Sequence, residues 1–282
     1  MLGRRQFLAQ FGVLGAALLL RPSGAAAALL AAGPDGRAAA DALHRISLDT
    51  YRGLAAWVVP GPDAYSRAQG QTSPTPGGVQ AGAGEFLLHG LDRYVPASDE
   101  LLRPIGHALL TGTAETAPGP LPPVPLEALG ALDDELQTLL ASDRTIPITL
   151  LVAMLLNSLA VQVDPGALAG PFPASPYANL THDQKTEAFR RLEEDSASIA
   201  ARIDGDLSEP MRSAFSGVLG LLGASLPNFA AFAVYSEFHA FDRETRTARV
   251  RPIGWDLSNF APGRRTPPDG WAEFRGYHRG LR

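Results

Sequence analysis

Not one cysteine occurs among the 282 residues. That excludes disulfides, a thiolate nucleophile, cysteine-held iron–sulfur clusters, C-x-x-C-H haem attachment and lipid attachment through a cysteine. Charge is also sparse, at 19% of residues, and its balance is −5. A chain with no basic surplus lacks the electrostatic footprint of a nucleic-acid binder. The loops that carry common chemistries are missing too. Ser225 lies in GASLP, which lacks the second glycine of a G-x-S-x-G nucleophile turn. Gly82 and Gly84 lie in AGAGEFL without the third glycine of a dinucleotide loop, and the chain has neither a G-x-x-x-x-G-K-[ST] phosphate loop nor an H-E-x-x-H zinc pair. The hydrophobic content, 45%, is nevertheless that of a globular chain and not of a disordered one.

What is present begins with GRRQFLAQFGVLGAALLL, residues 3–20. Arg4 and Arg5 stand side by side, Phe7 and Leu8 follow, and an apolar run continues to Arg21-Pro22. Alanines crowd residues 25–32. A basic start, a short apolar stretch and small residues after it make an export signal. The stretch is shorter than the ~20 residues of a spanning helix. Paired arginines ahead of it have the layout of a twin-arginine signal, an address that a receptor reads and that carries folded chains. Gly3 stands where serine or threonine is usual in such signals, and Ala9 where lysine is usual. The expectation is a signal over residues 1–32 and a periplasmic or extracellular product. The twin-arginine translocase would be a transient partner, and the membrane would be met only during export.

The mature chain reads as mainly α. Over residues 38–59, Leu43, Ile46, Leu54, Trp57 and Val58 share a helical face, and Pro60-Gly61-Pro62 stops the helix. Residues 65–84, rich in Gly, Pro, Ser and Thr, read as a long surface loop. Helices are expected over 85–94, 98–110 and 126–140, with a stiff proline-rich connector at 118–125. Residues 148–163, ITLLVAMLLNSLAVQV, are the most apolar stretch; Asn157, Ser158 and Gln162 favour a buried central helix over a membrane span. After a loop over 165–176, Thr181 and Gln184 form a capping box that opens a helix to about residue 203, with a solvated charged face from Lys185 to Asp195. A long helix over 211–235 contains Pro227, and the segment after Ser236 suits a short hairpin or an extended strap. The expected architecture is a single-domain helical bundle over 38–260 with long Pro/Gly-rich loops and an irregular C-terminal strap, followed by an Arg/Gly-rich tail over 261–282.

Few side chains group as a site. The histidines, His44, His89, His107, His182, His239 and His278, are scattered. Glu237 and His239 would share one face of a strand, but surface or capping roles suit them better than metal ligation. Asp133, Asp134 and Glu135 are consecutive on a helix and point different ways. No catalytic, cofactor-binding or metal residue is assigned. The amides of Asn157 and Asn228, on apolar helices, leave open a free-standing enzyme or small-molecule binder with a pocket between those helices. A third option is a membrane-attached protein that keeps its signal or inserts residues 148–163.

Two stretches resemble a known family. The first, within residues 54–94, pairs LAAWVVPGPD with TPGGVQAGAGEFLLHGLDRY: a helix ending in Val-Val-Pro, a Pro/Gly loop, then Ala-Gly and a new helix. It resembles the gluconate 2-dehydrogenase subunit 3 family, the twin-arginine-exported small subunits of flavin-dependent dehydrogenases of the glucose–methanol–choline type. The second, RPIGWDLSNF at residues 251–260 after Tyr235-Ser236-Glu237, resembles the C-terminal part of related small subunits. This chain is longer than typical members, with an enlarged loop before Gly84. The resemblance implies an exported, non-catalytic accessory subunit that helps a large flavoprotein subunit mature and leave the cell. FAD and the chemistry would belong to that partner. A flavin loaded in the cytoplasm would account for the folded export route. Aromatic and arginine side chains that anchor interfaces crowd the C-terminal end, where Arg251, Trp255, Phe260, Trp271 and Phe274 are the candidate contacts. Trp255 has a competing role, packing on the chain's own helices.

Overall fold

The computed structural model describes residues 36–94, 147–194, 211–236, 238–242, 244–245, 247–258 and 260. Helix α1 (Gly36–Val58) buries Leu43, Ile46, Thr50 and Leu54 on one stripe at helical spacing, with Trp57 and Val58 packed half-buried at its end. It stops at Pro60, as expected.

Residues 65–84 are not the surface loop that their composition suggests. Helix α2 (Ala64–Ala68) opens there, capped by Asp63, which accepts from the Ser66 amide. Tyr65, Ser66, Gln69, Gly77 and Gly78 are buried. Buried backbone must be paired, and the loop turns inward because its polar groups find partners. Gly61 N donates to Ser66 Oγ (2.9 Å), Gln69 Nε2 to Ala56 O (2.8 Å) and Gly78 N to Val59 O (2.8 Å). Gly78 lies so close to α1 that a Cβ there would sit 2.4 Å from Ala55 O.

Helix α3 (Ala83–Tyr94) begins just before its expected start and buries Phe86, Leu87, Leu88 and Leu91 against α1 and the rest of the core. Helix α4 (Ile148–Val163) is buried along nearly its whole length. Pro147 supplies no side-chain cap. Asp92 of α3 substitutes, accepting from Ile148 N (2.6 Å) and Thr149 N (3.3 Å). A carboxylate there also complements the positive end of the helix dipole. Among the described residues no helix is long and apolar enough to cross a membrane.

The expected loop after α4 contains a 3-10 turn (Pro165–Ala169) and helix α5 (Pro176–Asn179), capped by Ser175. Helix α6 (His182–Glu194) opens with the capping box: Thr181 N donates to Gln184 Oε1 (2.9 Å) and Gln184 N to Thr181 Oγ1 (3.3 Å). Its solvated face does not include Lys185. That residue is buried, because it shares a stripe with Ala188, Phe189 and Leu192. Helix α7 (Met211–Tyr235) carries Pro227 internally. A hairpin follows, β1 (Phe241–Asp242) antiparallel to β2 (Thr247–Ala248), with Phe241 opposite Ala248. Helix α8 (Ile253–Leu257) closes the described chain. The fold is mainly α, with α4 at the centre of a core contributed by α1, α3, α5, α6 and α7. The helices expected over 98–110 and 126–140, the connector at 118–125, the extension of α6 and the tail lie outside the described residues.

One polar knot sits inside this core. Asn157 of α4 donates to Thr50 Oγ1 (2.9 Å) and Ala153 O (2.8 Å) and accepts from Ser175 Oγ (3.0 Å) and Tyr177 N (3.0 Å). Asn157→Ala leaves the buried Tyr177 N–H and its neighbours without partners and should destabilise the protein by about 2–3 kcal/mol in urea unfolding. Asn228→Ala, at an exposed position, should stay within about 0.5 kcal/mol of the parent.

Candidate functional site

Among the described residues, the exposed large apolar side chains are Phe232, Tyr235, Phe241, Val250 and Phe260. All fall within residues 232–260, at the C-terminal end of α7 and in the elements after it. Phe232 is 63% exposed and Val250 57%. Helical spacing puts Leu226, Ala230, Ala233 and Val234 of α7 inward and Phe232 and Tyr235 outward. Phe232 keeps one edge on the protein, tilted 5.8 Å from Phe86, which also meets Phe238 edge-on at 5.4 Å.

Helix α8 is seated beside this face. Gly254 packs on the α7 backbone, where a Cβ would lie 2.7 Å from Tyr235 Cα. The seat brings Arg251, Trp255 and Phe260 together. Trp255 and Phe260 meet edge-to-face at 5.3 Å, and the Arg251 guanidinium lies 5.7 Å from the Trp255 ring. Arg251 is itself fixed by Asp256 Oδ1 (2.6 Å) and Phe260 O (3.2 Å). Trp255 is thus half-buried, serving the packing of its own segment while leaving one side outward. Trp271, Phe274 and the signal residues Arg4, Arg5, Phe7 and Leu8 lie outside the described residues, as do Glu237, Asp133, Asp134 and Glu135. The spacing 232/235 on α7 was the available signal for the residues that sequence reading missed.

The two amides expected to line a pocket do not converge. Asn228 is exposed and donates to Ala224 O (2.8 Å). Asn157 spends both donors and both acceptor positions on protein groups, which leaves none for a ligand. His239 is exposed. Among the described residues no group of His, Asp and Glu is placed to hold a metal ion.

Two further polar groups lie elsewhere in the fold. On α1, Arg52 Nε donates to Glu85 Oε1 of α3 (3.1 Å), and Tyr65 OH donates to Asp49 Oδ1 (2.7 Å). Burial raises the Asp49 carboxyl against the pull of Tyr65, Arg52 and Arg45. Burial, then the Asp49 hydrogen bond and charge, lifts the Tyr65 phenol well above its usual range. A phenol so raised is not poised for proton transfer near neutrality; the cluster ties α1 to α2 and α3. The second is Lys185. Its Nζ donates to Gly53 O (3.1 Å) and Gln69 Oε1 (2.9 Å) and lies 5.6 Å from the Tyr177 ring centroid. Burial pushes its amine down to about 7, opposed by Asp63.

No family model, curated protein or solved structure matches the chain. The geometry therefore stands alone, and its most exposed large apolar side chains lie on the C-terminal end of α7 and in the elements after it.

Trp255→Ala removes the contacts with Phe260 and Arg251 and should cost about 1 kcal/mol or somewhat more. Phe232→Ser, on the exposed face, should change stability by no more than about 0.5 kcal/mol. Thermal unfolding of the two variants side by side checks the contrast.

Proposed function

We propose that this chain is an exported, non-catalytic accessory subunit that assists the maturation and export of a flavin-dependent dehydrogenase. The observation that carries the reading is that the exposed large apolar side chains among the described residues all fall within residues 232–260, the segment that also holds the arginine–tryptophan–phenylalanine cluster of Arg251, Trp255 and Phe260. An apolar patch with aromatic and arginine anchors is what a stable subunit contact needs. The twin-arginine layout at Arg4 and Arg5 supports the same reading. So does the resemblance over residues 54–94 to small subunits of flavin dehydrogenases. On this reading FAD belongs to the large subunit, and Trp271 and Phe274 extend the contact.

Purification of the full-length chain from the exported fraction tests the proposal. A co-purifying larger chain with a flavin absorption spectrum is the expected result; a colourless, solitary protein overturns it. Replacing both Arg4 and Arg5 by lysine should hold this chain and the flavoprotein together in the cytoplasm, read by fractionation and dye-linked dehydrogenase activity. Phe232→Ser combined with Phe260→Ser should leave the fold intact and abolish co-purification.

A further inference from the structure

Lys185 has no part in the proposed contact, and its surroundings are unusual for a cation. Its amine lies where α1, the turn after α2, α5 and α6 meet. Gly53 O of α1 and Gln69 Oε1 of the turn accept from it, and the Tyr177 ring of α5 covers it. The turn is fixed around the same point. Gln69 Nε2 donates to Ala56 O (2.8 Å), and Gln69 O accepts from His182 N (3.0 Å), the first residue of α6. A neutral amine carries two N–H donors, and this site offers two oxygen acceptors. An ammonium could turn its third donor to the Tyr177 face, but it would be a full charge buried with no carboxylate at ion-pair distance among the described residues.

The charges around it are committed elsewhere. Asp63, before α2, acts on Lys185 through space and caps Ser66. Arg67 of α2 donates to Pro62 O. On α1, Asp49 accepts from Tyr65 and Arg52 pairs with Glu85. On α6 itself, His182 lies 3.7 Å from Asp183, and Glu187 holds Arg190 and Arg191. Asp164, after α4, accepts from Gln184.

We propose that Lys185 is a proton-operated latch: with its amine neutral it ties the first turn of α6 to α1 and to the Gln69 turn, and on protonation it lets them part.

The energetics run in one direction. The folded amine titrates at about 7 against an ordinary 10.5. Between those values the unfolded chain binds more protons than the folded one, so unfolding becomes harder as pH rises. The unfolding equilibrium constant should fall by up to about tenfold per pH unit within the window. Below it both forms are protonated, the penalty of burying a charge is present in full, and the junction is at its loosest. Trp57 stacks on Phe189 at 4.8 Å and donates to Thr186 Oγ1 (3.3 Å), beside the latch on both α1 and α6.

The test uses the full-length protein. Carbon-13 NMR of the lysine Cε signals, with the Lys185 signal assigned by its loss in Lys185→Met, should give a midpoint close to neutrality. A midpoint in the ordinary lysine range overturns the proposal. Denaturant unfolding across the same pH range should lose its alkaline rise in Lys185→Met and keep it in His182→Gln. Identical pH profiles for parent and Lys185→Met overturn the proposal. Should Lys185→Met fail to fold, hydrogen exchange of the parent's His182 amide decides. After correction for intrinsic exchange, opening at about pH 6.5 should exceed that at about pH 8.5 several-fold; equal opening overturns the latch.

Discussion

The bundle depends on the side-chain amide of Asn157. It sits near the middle of the most apolar helix, and three of its four hydrogen bonds reach α1 through Thr50, the α5 cap through Ser175 and the α5 backbone through Tyr177. Apolar packing alone is non-directional and would tolerate several rotations of α4 among its neighbours. A buried amide tolerates only the rotation that satisfies it. Asn157 therefore sets the angle at which α4 presents its leucines, and through Thr50 and Ser175 it sets where α1 and α5 meet it.

Most of the architecture was legible because period and punctuation agree in this chain. Residues 148–163, the capping box at Thr181 and Gln184, the proline stop after Val59 and the hairpin after Ser236 all follow from local rules. What stayed hidden was tertiary. The 65–84 segment has the composition of a solvated loop, yet Ser66, Gln69 and Gly78 are paired with the backbone of Gly61, Ala56 and Val59 at and just past the end of α1. Lys185 was placed outward by its chemistry, while its spacing from Ala188, Phe189 and Leu192 put it inward. The spacing was the better guide. The opposite held for Asn228, whose place on an apolar helix suggested burial although it faces outward.

The same distinction governs the outward face. Arg251, Trp255 and Phe260 drew attention as interface-like residue types, and they form one cluster because Gly254 lets α8 lie on the α7 backbone. Phe232 and Tyr235 join that end by helical spacing rather than by motif. Exposed charged residues, Glu244, Arg249, Arg251 and Asp256, alternate with the apolar ones along the same segment. Lys185 is the counterpart: a polar group kept away from water by the chain's own packing.

The cap that Asp92 places on α4 has a kinetic consequence. Its bond to Ile148 spans 56 positions in the chain, and the helix it completes has no side-chain cap of its own. The first amides of α4 find their protein acceptor only once α3 has formed and the intervening chain has closed on itself, a step whose entropy cost rises with loop length. Formation of the central helix is thereby coupled to a long-range event. Such topologies fold more slowly than bundles with local contacts. A chain built this way spends longer with its most apolar helix unfinished.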